Sequence, residues 1–457
     1  MHFMVAFWSK TNIICSNDGR RRKKYDKGVF GMKKLISLFL ALALVLSLCS
    51  FASAETVEEV IAEAQNMSLE ELFKKAIEES NGKRFDAVGN SSRGKSVLPI
   101  FVEELQKIDP NYTLDFEGGW QQPKENKIFD QLTEDINGAN HVMSMTLIQD
   151  GNQIQKKMLD TGLLLNFVPK DWTEAEGVAK EGNENPLALQ TLNKVFEFNN
   201  LGEKTYKNMW DFVREGEAPL FMGVNSEPVG KNFLYMMTND KYATIAKEAY
   251  EVWDGKNEED DALIESMKQD AADLGLTGDN VQYGLAWVYL WCEKYNEETD
   301  DGPICNTLVT TSAKDQCGLL VYSKLRSVEE TAEASVNNIT VAAYQDDYVG
   351  IGGFAYKHYL MLTKTSPLPW TSCALIAYMT TTQEGFAAWG KDMGGYAPVP
   401  ACMQDHSKDG GDEFPAKNDR GYDWWLNEGK LVVEEPAYCA SVSGTMSDWI
   451  DGIIANK

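Results

Sequence analysis

Phe85–Leu98 reads FDAVGNSSRGKSVL, and Val142–Gly151 reads VMSMTLIQDG. Each is a short apolar run that ends in polar residues and passes into a helical pattern. The first stretch predicts a strand over Phe85–Val88, a turn over Gly89–Gly94 and a helix over Ser96–Ile108, with Pro99 suited to a first helical turn. The second predicts a strand over Val142–Ile148 and a helix over Asn152–Asp160. A strand at Thr113–Phe116 and a helix at Asn126–Ile136 continue the alternation between them. Strands alternating with helices predict an α/β fold whose sheet is mostly parallel and flanked by helices.

Working outward, Thr56–Glu78 reads as two short helices. Each opens on a capping box, Thr56-x-x-Glu59 and Ser68-x-x-Glu71. Residues 169–215 are polar and read as helical. Pro219–Val224, Leu319–Val321, Ile339–Ala343 and Tyr359–Thr363 read as strands. Pro228–Met237, Lys241–Trp253, Val281–Tyr295, Trp370–Thr381 and Gln383–Lys391 read as helices, and Asn257–Asp261 as an acidic loop. There is no internal repeat and no low-complexity linker.

The one long apolar run, Leu35–Ala54, follows Met32-Lys33-Lys34 and ends in Ala52-Ser53-Ala54. Charged start, apolar middle and small-residue end predict a secretory signal over 32–54, with 1–31 an over-extended start. Cys49 follows Leu48, which is a poor lipidation context, so a lipid anchor at Cys49 is the secondary expectation. The protein is expected outside the cell membrane, at the cell surface or in a periplasm. The chain has 43 basic and 69 acidic residues, a net charge of −26. That balance gives no basic face for nucleic acid. Residues 1–54 hold nine of the basic and two of the acidic side chains, so their removal leaves a net of −33. Six Cys follow residue 54, and Cys305–Cys317 and Cys402–Cys439 are candidate bridges in an oxidising compartment.

Catalytic signatures are sparse. There is no GxSxG, HExxH or P-loop. With four His in the chain, a His-built metal site is not expected, nor is a cofactor. Asp405-x-Ser407-x-Asp409-Gly410 begins like a calcium loop, but its twelfth position is Ala416, so it reads as a solvated loop. A paired-carboxylate glycosidase stays open, because that spacing is spatial.

Ligands in open α/β sheets collect beyond the carboxyl ends of strands. Four polar loops stand there. Ser91, Ser92 and Arg93 precede a helix whose first amides can hold an electron-rich group. Gln149 and Asp150 follow the second strand, Asn225 and Glu227 a third, and Asp346 and Asp347 a fourth. Each loop also reads as a plain helix cap or turn. Trp120 follows Gly118-Gly119 and is a candidate cleft aromatic. Trp287 and Trp291, four apart on one helix, read as core.

These stretches resemble the extracellular solute-binding proteins of ABC importers, in the branch that takes sugars and iron. Gly89–Lys95 resembles that family's first ligand-side loop. Leu147-Ile148-Gln149-Asp150 with Gly162-Leu163-Leu164 and Val168-Pro169 resembles its crossing out of the first lobe. Lys364–Leu368, Cys373–Thr380 and Gln383-Glu384-Gly385-Phe386-Ala387-Ala388-Trp389 resemble its late helical segment. The resemblance implies a two-lobed periplasmic-binding-protein-like fold of the second type, hinged, with each lobe a mostly parallel sheet. It implies N-terminal helices over 55–82, lobe I over 83–165 and 335–390, and lobe II over 166–334 and 391–457. It further implies a monomer that is no enzyme, which captures a sugar, cation or small organic ion between its lobes for a membrane ABC permease. The ligand-binding residues it implies are Ser91, Ser92, Arg93, Trp120, Gln149, Asp150, Asn225, Glu227, Asp346 and Asp347. No adjacent Tyr-Tyr pair of the kind used by iron binders is present among the candidate loops.

Overall fold

The structure is a computed structural model that describes residues 55–457, apart from 124, 327, 329–334, 391–393 and 404–418. The signal-like segment, residues 1–31, Cys49 and the Asp405–Asp409 loop lie outside the described residues.

Both expected capping boxes form, at the heads of α1 (Val57–Ala64) and α2 (Leu69–Ser80). Then follow β1 (Lys83–Arg84), β2 (Asp86–Gly89), α3 (Gly94–Ile108, with Pro99 inside it), β3 (Leu114–Asp115), β4 (Trp120–Gln121), α4 (Glu125–Asn137) and β5 (Met143–Ile148). Next come α5 (Gly151–Gln153), running on as π-helix to Leu159, β6 (Leu164–Leu165), α6 (Lys170–Glu174) and β7 (Ala188–Asn199). The chain continues through β8 (Leu220–Met222), α7 (Pro228–Met236), α8 (Asp240–Val252), α9 (Glu258–Asp273), α10 (Val281–Lys294), β9 (Asn296–Glu298), α11 (Asp301–Leu308), β10 (Cys317–Val321) and β11 (Ile339–Val341). It closes with β12 (Gly353–Thr363), α12 (Pro369–Thr381), α13 (Gln383–Phe386), β13 (Gly395–Tyr396), α14 (Tyr422–Asn427), β14 (Leu431–Val433) and α15 (Pro436–Ala455).

Besides the β1–β3 pair, the strands form one 12-stranded sheet with the order β4-β2-β5-β12-β7-β10-β8-β9 and β6, β11, β13 and β14 attached. The three outer strands at each end pair in parallel, as the βα alternation predicts. The antiparallel pairs lie in the middle, where the long strands β7 and β12 run from one half to the other. So the two lobes share a continuous sheet, joined by β7 and β12 with the short β13 paired to Thr191 and Leu192 of β7.

Apolar packing divides at that junction. Leu187 and Leu189 join the lobe I core, and Leu192, Phe196 and Phe198 the lobe II core. On β12 the division falls between Tyr356 and Tyr359. The intervening Gln190, Thr191, Lys357 and His358 are polar, and the β7–β12 register shifts between His358 and Tyr359. A bulge of this kind bends a strand and re-aims its side chains. The clusters therefore do not follow boundaries at 166 and 335. Phe167 and Trp172 pack in lobe I, and Val341 and Ile351 in lobe II.

Three other expectations are corrected. The polar stretch 169–215 carries the 12-residue strand β7, buried along its whole length, where helix was expected. The acidic Glu258–Asp261 is the first turn of α9, capped by Asn257, where carboxylates meet the positive helix end. Both candidate disulfides are absent: all six Cys are free and buried. Cys305 and Cys317 lie in different cores of lobe II, and Cys402 lies in the lobe I core, away from Cys439 in lobe II.

Candidate functional site

A cavity of about 680 Å³ opens between the lobes. That falls in the ordinary range for small-molecule sites, about 300–1,000 Å³. Leu192 of β7 with Tyr356 and His358 of β12 line its base.

The lobe I wall is the loop Asn90–Arg93, with Gln122, Gln149 and Trp389. Asn90 fixes this loop to two neighbouring strand ends. Its Oδ1 accepts the Gln149 amide at 2.9 Å, and its carbonyl accepts Gln122 Nε2 at 2.9 Å. Trp120 lies beneath the loop rather than in the cleft. It is 2% exposed, and its Nε1 donates to the Ser91 carbonyl at 2.9 Å. This explains Gly94: a Cβ there would stand 2.0 Å from the Trp120 ring. The glycine permits a close approach, where sequence reading assigned it to a tight turn. No side chain caps α3, whose N-terminus borders this wall.

The lobe II wall is built at the ends of β8, β9 and β10. Ser226, Glu227, Thr299, Asp300, Asp301, Ser323 and Lys324 line it. Lys194, fully buried on β7, stands behind them. Its Nζ donates to Asp301 at 2.8 Å and to Glu227 at 3.2 Å. Burial opposes the charge of Lys194, yet those two carboxylates outweigh burial and raise its pKa. Burial raises Glu227, against the pull of Lys194 and with help from Asp301. Asp301 also accepts the Val321 amide at 3.1 Å. Asp300 caps α11 through the Gly302 amide at 3.2 Å and lies 3.4 Å from Lys324. The Gly302 amide and Lys324 outweigh partial burial and lower Asp300.

His358 is neutral. Burial and the nearby Arg93 push it down to about 3. Its Nδ1 accepts from Gln190 Nε2 at 3.0 Å, so Nε2 carries the proton and faces Gln149 Oε1 at 3.3 Å.

Of the ten residues expected at the ligand, Ser91, Ser92, Arg93, Gln149 and Glu227 line the cleft. The other five do not. Trp120 is under the loop. Asp150 turns into a buried network on the far side of β5, where Asn232 Nδ2 donates to its Oδ1 at 3.0 Å and to Glu434 Oε1 at 2.8 Å. Asn225 donates to Asp451 at 3.1 Å, beside a second pocket lined by α5, α7 and α15. Asp346 and Asp347 are exposed, and Asp347 pairs with Lys207. Their strand, β11, pairs with Glu197–Asn199, the end of β7 away from the cleft. Sequence reasoning missed Asp300, Asp301, Ser323, Lys324, His358 and Trp389. Ser323 and Lys324 follow a strand it had read, so the same strand-end rule could have found them. Among the described residues no group of three or more His, Cys, Asp or Glu is placed to hold a metal ion. Nor is any helix among them long and apolar enough to cross a membrane.

No family model and no curated protein matches the chain. Solved structures do. Iron-bound HitA from Pseudomonas aeruginosa gives a TM-score of 0.51 at 12% identity, over 81% of this chain and 99% of that one. A Trichodesmium protein, IdiA or FutA, solved with iron and citrate, gives 0.49 at 10% identity over 81% and 99%. An ABC transporter structure from Clostridium perfringens gives 0.49 at 9% identity over 80% and 98%. The likeness is one of fold: the chain has the two-lobed α/β architecture of the periplasmic binding proteins.

Proposed function

We propose that this protein is the solute-capturing component of an ABC importer. It is exported by the leader at 32–54, acts as a monomer, binds one small solute between its lobes and hands it to a membrane permease. The observation that carries this is the cleft itself. Its polar walls come from two separately packed lobes, and the base is the β7–β12 pair, edged by β13 and with a bulge at its centre. Such a pair can bend without disturbing either core, which is what hinge closure needs. Ser91, Ser92, Arg93 and Gln149 on one wall and Glu227 on the other are the proposed ligand contacts.

Glycan hydrolysis has no observation in its favour. It needs two carboxylates flanking a bond at about 5–9.5 Å. Glu227, Asp300 and Asp301 stand on one wall, with Asp301 held by Lys194 and Asp300 by its own helix end. The iron in the HitA structure belongs to that protein; here one tyrosine, Tyr356, lines the cleft among the described residues.

A thermal-shift panel of sugars, amino acids, betaines, polyamines, organic acids and metal ions tests the proposal. A captured solute at a hundredfold excess over its Kd stabilises the protein by about 2.7 kcal/mol. It must be recovered unchanged after incubation. Chemical conversion of the bound solute would sink the reading.

A further inference from the structure

The carboxylates of the lobe II wall are not all answered by its cations. Glu227, Asp300 and Asp301 line that wall, with Lys324 at its edge and Lys194 behind it. Lys194 is fully engaged. Its Nζ donates to Asp301 Oδ2 at 2.8 Å and Oδ1 at 3.0 Å and to Glu227 Oε2 at 3.2 Å, and it meets Met222 Sδ at 3.4 Å. Nothing of it is left for the second oxygen of Glu227. That oxygen, Oε1, has no hydrogen bond among the described residues, yet it is not sealed inside the protein as both oxygens of Glu197 are. Glu227 lines the cleft with 8% of its surface exposed. An acceptor largely withdrawn from water and left unpaired costs free energy that a donor on the ligand would recover.

Two hydroxyls stand on the same wall. Ser226 precedes Glu227 and donates its Oγ to the Gly223 carbonyl at 2.8 Å, which leaves the oxygen lone pairs as acceptors. Thr299 follows β9, whose Glu298 pairs with Met222 of β8, the strand that leads into Ser226 and Glu227. Its hydroxyl makes no hydrogen bond among the described residues. Across the cleft, lobe I is mostly neutral. Arg93 has a partner of its own, and His358 is uncharged and bonded to Gln190 and Gln149. The whole chain carries a net charge of −26, which attracts cations from a distance.

We infer that the captured solute is a protonated amine, with its ammonium on the lobe II wall against Glu227 Oε1 and the Ser226 and Thr299 hydroxyls, and a neutral polar remainder toward lobe I. This rests on the capture reading and names its substrate class. A charge-assisted bond from an ammonium to a carboxylate is about twice as strong as one between neutral groups. A neutral sugar leaves the Glu227 charge uncompensated, and an anion meets it with like charge. A metal ion needs several ligands at once, and among the described residues no group of three or more His, Cys, Asp or Glu is placed to hold one. Burial raises Glu227 to about 7, with Lys194 opposing and Asp301 and Asp300 adding to it. Below that value Glu227 holds a proton that a cation must displace, so affinity for an amine falls as pH drops and levels off above it.

The test is calorimetry on the purified protein with amino alcohols, alkyl amines and amino sugars, their N-acetylated counterparts, organic acids and neutral sugars. The tightest ligand should be an amine, and N-acetylation, which removes its charge, should weaken it by about tenfold or more. Glu227→Gln should bring the amine down to the affinity of its N-acetylated form. For an amine that stays charged throughout, affinity should drop about tenfold from about pH 8 to about pH 6 in the parent and stay level in the variant. If the variant fails to fold, the N-acetylated pairs and the pH series on the unmodified protein decide alone. A sugar or an acid that binds more tightly than every amine, or an N-acetylated form that binds as tightly as its parent, overturns this inference and leaves capture standing. If nothing in the sets binds and the lobes do not move, capture fails as well.

Discussion

At the scale of single residues, Glu434 shows how burial can tie stability to pH. It is 1% exposed, accepts from Asn232 at 2.8 Å and from Tyr359 Oη at 2.9 Å, and shares Asn232 with Asp150. Burial first, and then the Asp150 carboxylate, raise its pKa to about 8. An unfolded Glu loses its proton near 4.3. Between those values the folded chain holds a proton that the unfolded chain has lost, so this group makes stability fall as pH rises. The slope is at most about 1.4 kcal/mol per pH unit, and the loss is complete above about 8. Glu434→Gln imitates the protonated form. Urea denaturation across pH 5 to 9 should show the variant gaining on the parent with rising pH, most at the alkaline end. A constant difference would mean that Glu434 is ionised throughout. The same residue scale explains why the candidate site was only half legible. Polar residues after a strand are visible in sequence, and that rule led to Ser91, Ser92, Arg93, Gln149 and Glu227. It does not tell which way each residue turns. Gln149 faces the cleft, while Asp150, the next residue, is buried on the other side with Asn232 and Glu434. Trp120 was misplaced for a related reason, because nothing local shows that it supports the Asn90–Arg93 loop from below.

At the scale of elements, β7 was the costliest misreading and is the most informative strand. Its sequence, ALQTLNKVFEFN, is buried at every position yet carries Gln190, Asn193, Lys194, Glu197 and Asn199. A strand covered on both faces ordinarily reads as a near-continuous apolar run. Here the polar residues broke that run and imitated a polar helix. For three of them the reasons are tertiary: Gln190 holds His358, Lys194 holds Asp301 and Glu227, and Asn199 bonds the Leu308 carbonyl at 2.7 Å. The outer strands lack such demands, so β2, β5, β8 and β10 were readable within a residue or two. Lys194 gives this element a measurable signature. Removing one partner from a buried ion cluster leaves the others uncompensated and costs about 3–5 kcal/mol. Lys194→Met should lower the unfolding free energy obtained from urea denaturation by that amount at pH 7. A second change, Asp301→Asn, should restore part of the loss, because one buried negative charge goes with it. A cost below about 1 kcal/mol would show that the cluster is hydrated and that Lys194 is no structural cation.

At the scale of the whole molecule, the proposed capture of a solute depends on what joins the lobes. Their cores are distinct, and the sheet passes between them through β7 and β12, with β13 paired to β7 at the crossing. The division in apolar packing, the polar Gln190–Thr191 and Lys357–His358 pairs and the β-bulge all fall at one level of that crossing, which is also the base of the cleft. Bending there moves Arg93 and Glu227 relative to each other while leaving both cores intact. Closure on a captured solute should therefore reduce the radius of gyration in solution scattering, together with the rise in melting temperature. Ser92 offers a way to separate the two lobes' folding from their motion. It is exposed on the lobe I wall and makes no side-chain hydrogen bond among the described residues. Ser92→Trp should leave the stability of the unliganded protein within about 0.5 kcal/mol, as expected for a surface substitution. The indole would then stand between the walls. The variant should show neither compaction nor stabilisation with a solute that produces both in the parent. Undiminished compaction would mean that the walls close elsewhere, and that the Asn90–Arg93 loop is not a closing surface.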